Sequence, residues 1–405
     1  MGKLGFRNLL LIGMDVNPLA RSAKNAGYGV YSVDYFGDQD LRWSSDDCSS
    51  VVDQKEGVSC GRLVADFDAE TLLEGAKAIS RRNHIDAILL STGLDNSPRV
   101  LSELTKIAPI VGNPPESIQR VRDTESFFRE LECLQVPVPQ TAVVGDLSEA
   151  SNTSKEIGYP LLVKPLGGFG GAGIRKVENP DELRRIFEGL SGQAQQTVIQ
   201  EFIPGLPVSA SVVSSGNESV TLTVNEQIIG LSTCGQVEPF GYCGNIVPLS
   251  LSGDILLRCK EVAEEIVAHF GLVGSNGVDF VISGDGVPHV VEVNPRFQAT
   301  LECVEKVLGM NLVDAHVKAC AKGLLPKVPD LIPGFCTRLI LFALHRSVVP
   351  DLSGYPEVRD IPFPSVIIGK GEPVCSIIAE GENRDSSYDR AKFVADMIIS
   401  SLNLI

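Results

Sequence analysis

Residues 277–296 carry a β-hairpin whose pairing can be counted outward from its turn. Alternating apolar runs flank Asp285-Gly286, a dipeptide suited to closing a two-residue loop. Such a loop sets Gly284 against Val287, and therefore Asp279 against Glu292, with Asn294 on the same face. Val278, Phe280, Ile282, Val291 and Val293 share the opposite face, which buries and leaves the acids looking into a cleft. His289 falls opposite Ile282 on that apolar face, where a packing role is expected rather than a catalytic one. Opposed carboxylates about 5 Å apart repel each other. A hard divalent cation relieves the repulsion, because Mg²⁺ takes one or two carboxylates and completes its shell with water and substrate phosphates. Mg²⁺ or Mn²⁺ is the expected ion, and Arg296, just past the strand, can hold phosphate charge. On the hairpin by itself, the competing reading is a solvated strand face that happens to hold two acids.

The chain has 405 residues and 43% hydrophobic content, enough for two or three cored domains. Its 35 Lys and Arg against 51 Asp and Glu give a net charge of −16, which disfavours nucleic acid and anionic membranes as partners. A phosphate ligand then depends on a local basic site or a metal. Ten dispersed cysteines, Cys60 among them, contain no C-x-x-C pair and suit a reducing cytoplasm. Cys234 and Cys243 lack two further zinc ligands at a suggestive spacing. No signal-peptide pattern and no ~20-residue apolar stretch occur, so a soluble cytoplasmic protein is expected.

Across the first 110 residues, apolar strands at 8–12, 29–35 and 86–90 alternate with helical patterns at 20–26 and 69–82, a Rossmann-like α/β arrangement. Gly13 opens no G-x-G-x-x-G fingerprint, so no nicotinamide site is read. Asp34, Asp95 and Asn96 at strand ends are candidate substrate contacts, and equally ordinary turn and cap residues. Pro114-Pro115 ends this region, a charged helix is expected over 116–134, and Val136–Pro139 enters a new unit. Strand Leu161–Lys164 then runs into five glycines, Gly167, Gly168, Gly170, Gly171 and Gly173. Without side-chain bulk, such a loop can wrap its N–H groups round an anion. Lys164 beside it can neutralise phosphate charge, although the order is not that of a Walker A loop. Thr197–Gly205 reads as an edge strand followed by a turn.

The succession Lys164, glycine loop, Gln200-Glu-Phe-Ile-Pro-Gly205, Asp279 and Glu292-Val-Asn-Pro-Arg296 closely resembles the ATP-grasp superfamily over about residues 110–325. More weakly, both ends resemble the biotin carboxylase and purine-biosynthetic ligase branch. The resemblance implies an ATP-grasp fold of α/β and α+β class: a Rossmann-like pre-ATP-grasp domain over 1–112, an ATP-grasp domain over 113–325, and a small β-rich α+β subdomain over 326–405. Within the middle unit, the central lobe would span about 135–205 and the C-terminal lobe about 206–325. ATP would lie between the lobes, with Lys164 on its α/β phosphates and the five loop glycines over the triphosphate. The backbone of Glu201, Phe202 and Ile203 would meet adenine, Gln200 beside them is a further cofactor-binding residue, and Asp279, Glu292 and Asn294 would hold the metal. Arg296 would contact the reacting phosphate and substrate, and Gln298 resembles the polar residue placed beside a carboxylate or bicarbonate. Two departures stand out. Many relatives have Asp-Lys where this chain has Asp123-Thr124, leaving Arg122 as the substitute, and Pro207 or Val208 occupies the place of a ribose-binding Glu.

The chemistry implied is phosphorylation of a carboxylate to an acyl phosphate, followed by amine attack, with Arg296, Lys164 and Asn294 as the catalytic set. The texture resembles predicted ATP-dependent carboligases of archaeal type. Small-molecule carboxylate and amine substrates are the expected partners, and a homodimer is carried as an expectation. A bicarbonate-using carboxylase is the alternative, weakened because no Met-Lys-Met biotinylation sequence is present. A catalytically silent ATP-binding scaffold is the other alternative.

Overall fold

The computed structural model describes residues 5–59, 67–190, 196–329 and 331–405, so Cys60 lies outside the described residues. The N-terminal region is a parallel sheet in the order Asp47–Ser50, Gly29–Asp34, Asn8–Ile12, Ala87–Leu90. Leu9 through Ile12 are all fully buried, as expected of a central parallel strand covered on both faces. Helix Ala69–Arg82 is started by Asp68, whose side chain accepts from the Glu70 N–H. Asp34 is also buried, but it accepts from the N–H groups of Val16 and Gly37 and so ties loops together rather than facing the cleft.

The single charged helix expected over 116–134 is two helices, Pro115–Arg122 and Thr124–Cys133. Asp123 breaks the run because its backbone is extended and its carboxylate caps the second helix at the Ser126 N–H. An antiparallel sheet follows, ordered Thr141–Val144, Thr197–Glu201, Leu161–Pro165, Arg175–Val177. Thr197–Glu201 is therefore an interior strand and not an edge. With helices Leu147–Ile157 and Pro180–Leu190, this lobe has a core of its own built on Val144, Ala150, Leu161, Val163 and Ile199.

The largest sheet has eight strands, in the order Pro288–Asn294, Val273–Ser283, Gly205–Ser215, Ser219–Ile229, Tyr242–Val247, Phe335–Phe342, Pro373–Gly381, Val358–Arg359. It runs without interruption from the acid-bearing hairpin into the last 80 residues, where Tyr242–Val247 pairs with Phe335–Phe342. The N-terminal sheet shares a core with it: Leu9 and Leu11 pack in one cluster with Val213, Leu222, Leu301 and Cys336. Buried polar ties reinforce the junction. The Arg338 guanidinium, 3% exposed, binds Asp15 at 2.9 Å and Asp360 at 3.0 Å. His316 accepts from the Ser275 N–H at 2.7 Å through Nδ1 and donates to the Val111 carbonyl at 2.9 Å through Nε2.

In the hairpin, the loop is not the two-residue turn expected. Ser283 N–H donates to Val287 O and Gly286 N–H to Ser283 O, leaving Gly284, Asp285 and Gly286 in a three-residue loop with Gly286 at φ +85°. Ile282 pairs with Pro288, Val281 with His289 and Phe280 with Val290. A register shift between Asp279 and Phe280 then restores Asp279 opposite Glu292. The longer loop and the bulge at Val291 offset each other. Val290 consequently takes the core position expected of Val291, and His289 stands opposite Val281 instead of Ile282.

Candidate functional site

The three sheets meet around a cleft of about 870 Å³, within the size range of small-molecule sites. Lys164 enters it from the end of strand Leu161–Pro165, with Nζ 2.5 Å from the Gln200 Oε1 on the adjacent strand. Burial pushes its ammonium pKa down to about 8, against the opposing influence of the Glu292 charge. Beyond Lys164 the glycine loop lies folded onto its neighbours: the Tyr242 N–H donates to the Gly170 carbonyl at 3.0 Å and Asn96 Nδ2 to the Gly167 carbonyl at 2.8 Å. Gly171 has φ +75°, and a Cβ there would stand 1.9 Å from the Phe240 carbonyl oxygen. No other residue type fits that approach. Gly167, Gly168, Gly170 and Gly171 line the cleft, whereas Gly173 packs against Pro165 outside its lining.

Across from Lys164, the hairpin presents Asp279 and Glu292 side by side. Asn294 Nδ2 donates to Asp279 at 3.0 Å, Gln227 Nε2 donates to its other oxygen at 3.1 Å, and Arg122 pairs with Glu292. Burial, then the neighbouring Glu292 charge, lifts the Asp279 carboxyl to about 7. Burial acts in the same sense on Glu292 and is its largest single influence, but the Arg122 guanidinium, Arg296 and Lys164 together outweigh it and hold that carboxyl below the ordinary range. Arg296 donates from Nη2 to Asn294 Oδ1 at 2.9 Å and from Nε to Asp95 Oδ2 at 2.7 Å. Gln298 donates to the Arg296 carbonyl and lies over Gly277, where a Cβ would meet its Cγ at 2.7 Å.

Two acids and an amide form an incomplete cation site. Among the described residues, no group of three or more His, Cys, Asp or Glu could hold a metal ion unaided. That donor set fits an ion such as Mg²⁺, which takes its remaining ligands from phosphates and water. The side-chain-free cradle at Gly171 fits a phosphate chain. Glu201 spends its carboxylate on the Gln140 N–H at 3.2 Å, and Glu201, Phe202 and Ile203 follow one another in the cleft lining. Pro207 lines the cleft but Val208 is fully buried, so neither position offers a ribose acid.

Lys164, the four lining glycines, Gln200–Ile203, Arg122, Asp279, Glu292, Asn294, Arg296 and Gln298 thus converge on one cleft. Sequence reasoning missed Gln227, Tyr242 and Asn245, which also line it. Gln227 carried a signal, since Ser219, Thr221, Thr223, Asn225 and Gln227 recur at period two as one polar face of a strand whose other face holds Val220, Leu222 and Val224.

Residues 121–300 match the family model described as the ATP-grasp domain. Residues 121–300 are an ATP-grasp domain. An uncharacterized protein of Methanocaldococcus jannaschii is 27% identical over 375 residues, covering 92% of this chain and 88% of that protein. The carbamoyl phosphate synthase large chain of Helicobacter pylori strain J99 is 26% identical over 248 residues, 59% of this chain but 22% of that protein's length. Among solved structures, the biotin carboxylase domain dimer of Hydrogenobacter thermophilus 2-oxoglutarate carboxylase, with MgADP, ADP and bicarbonate, superposes with a TM-score of 0.76 at 17% identity, covering 99% of this chain and 91% of that one. An ADP complex of N5-carboxyaminoimidazole ribonucleotide synthetase gives 0.70 at 16% identity, covering 97% and 98%. The fold shared with these structures therefore extends over the parallel sheet and the C-terminal strands as well as over residues 121–300. Among the described residues, no helix is long and apolar enough to cross a membrane.

Proposed function

We propose that this protein is an ATP-dependent carboxylate–amine ligase acting through an acyl phosphate. The observation that carries the reading is the set Asp279, Glu292, Asn294 and Arg296 facing Lys164 and the glycine loop across one cleft. ATP is a substrate in this scheme. A carboxylate oxygen attacks the γ-phosphorus, the bond to the β-phosphate oxygen breaks, and ADP leaves. An amine nitrogen then attacks the acyl carbon, the C–O bond to phosphate breaks, phosphate departs with the electron pair, and the nitrogen gives up a proton to form the amide.

Charge neutralisation and alignment are the protein's share of such chemistry. Lys164 and the glycine-loop N–H groups hold the phosphates, while the backbone from Glu201 to Ile203 receives adenine. Mg²⁺ or Mn²⁺, held by Asp279, Glu292 and Asn294, would supply the positive charge that lets the phosphates and these acids share the cleft. Arg122, already at Glu292, provides the cation that relatives place at the position of Thr124. Arg296, fixed by Asn294 and Asp95, faces the point where the carboxylate meets the phosphoryl group.

The test is incubation with ATP, Mg²⁺, a panel of carboxylic acids and hydroxylamine. The expected result is acid-dependent release of ADP and phosphate with formation of a hydroxamate. Stimulation by bicarbonate alone would reassign the protein to carboxylation. ATP binding with neither acid-dependent ADP nor hydroxamate would refute the ligase assignment.

A further inference from the structure

The cleft does not end at Arg296. Its lining continues over residues 67–70, 92–93 and 95–100 of the N-terminal region together with Phe169, Tyr242 and residues 298–300. Three aromatic rings stand in this wall. Phe67 meets Phe169 edge to face at 6.1 Å and is backed by Tyr35 at 5.7 Å, and Tyr242 lines the cleft beyond the glycine loop. Phe169 belongs to that loop, so the apolar wall and the phosphate cover are one piece of chain.

The cations at this end are already paired. Described lining residues include three acids, Asp68, Glu70 and Asp95, against two arginines, Arg99 and Arg296. Arg99 pairs with Glu70, Arg296 pairs with Asp95 at 2.7 Å, and Asp68 caps the Glu70 N–H. Among the described residues here, each guanidinium has a carboxylate partner and the surplus charge is negative. A phosphate on the acceptor would meet that surplus without a spare cation, whereas an ammonium would be attracted. The polar groups in between, Gln298, Asn245 and Thr300, are neutral.

We infer that the acceptor is a primary amine on an apolar, unphosphorylated body, seated against Phe67, Phe169 and Tyr242 with its nitrogen toward Asp95. This rests on the ligase reading above and specifies its second substrate. The aromatic wall takes the body of the amine, and Asp95, whose Oδ2 accepts from Arg296, turns its other oxygen to the nitrogen and orients it beside the activated acid. An apolar pocket of this kind discriminates by area buried, and a polar or phosphorylated body forfeits that area.

The experiment uses the full chain, ATP, Mg²⁺ and whichever acid yields a hydroxamate with hydroxylamine, then replaces hydroxylamine by benzylamine, isoamylamine, ethanolamine or phosphoethanolamine. Amide formation is expected with benzylamine or isoamylamine at a kcat/KM at least tenfold above ethanolamine, with phosphoethanolamine slowest. Phe67→Ala should lower the ratio of benzylamide to hydroxamate at least fivefold. Phe67→Leu, which keeps an apolar side chain beneath Tyr35, should move the preference from benzylamine toward isoamylamine. A preference for ethanolamine or phosphoethanolamine, or an unchanged ratio in Phe67→Ala, overturns this inference while leaving the ligase intact. Failure of all acids to give hydroxamate removes the ligase reading and this inference with it.

Discussion

Lys164 offers a way to detect the phosphate site through protons. Burial lowers its pKa to about 8, so in the free protein at pH 8 the amine is about half protonated. A bound polyphosphate favours the ammonium and raises that pKa. Binding at pH 8 must therefore take up about half a proton at Lys164, and affinity must fall as pH climbs through and above 8, where uptake approaches one proton per site. The magnitude at fixed pH comes from removing the charge. Lys164→Met should weaken ATP binding by roughly 1.5 to 3 kcal/mol, the range for hydrogen bonds to charged groups, or about 10- to 150-fold in Kd. Calorimetric titration of ATP at pH 8 in two buffers of different ionisation enthalpy reads both quantities. The wild type should show net uptake that disappears in Lys164→Met. Equal proton uptake in the two proteins, or equal affinity, would refute the placement of Lys164 on the phosphates.

Glu292→Gln removes one charge from the paired acids while leaving an oxygen for Arg122, and it should nearly abolish ATP turnover and raise the Mg²⁺ concentration needed for what remains; a metal titration of ADP release checks this. Gly171→Ala places a methyl against the Phe240 carbonyl and adds about 1–2 kcal/mol of left-handed strain. Steady-state kinetics should show turnover at least tenfold lower with the circular dichroism spectrum unchanged. His316, kept neutral by burial with a pKa of about 4 against an ordinary 6.5, stabilises the fold fully above pH 6.5 and loses that contribution as pH falls toward 4. The unfolded chain binds the extra proton in that window, so the loss between pH 6.5 and 5 is about 2 kcal/mol. Urea unfolding of wild type minus His316→Gln, compared at both pH values, isolates it from the acids that titrate nearby.

Much of the site was legible because its parts are local. Glu292, Asn294 and Arg296 lie within five residues, and the glycine loop directly follows the strand of Lys164. Even so, the Asp279–Glu292 pairing emerged from a two-residue turn that does not exist, and it survives only because a bulge at Val291 offsets a loop one residue longer. Bulges answer to packing on the far face, where Val290 rather than Val291 fills the core, and alternation of apolar residues cannot distinguish the two valines. The helix break at Asp123 had a visible cap residue whose competing helical context hid it. What pattern could not reach at all were pairings across the chain, such as Arg296 with Asp95 and Arg338 with Asp15, which join residues 201 and 323 positions apart.

Those distant pairings decide where the molecule can bend. Asn113, 3% exposed at the seam, grips Asn276, the Pro295 carbonyl and the Val273 N–H, close to where His316 bolts Val111 to Ser275. Together with the shared core, these rivets make the parallel sheet and the eight-stranded sheet a single chassis. The lobe around residues 141–201 has its own core and reaches the parallel sheet through glycine-loop contacts such as Asn96 to Gly167 and Phe67 to Phe169. It is built as the jaw. An opening of this lobe would part the loop from Asn96 and Tyr242 and Phe169 from Phe67, so one stroke would expose the proposed nucleotide and acceptor ends of the cleft together.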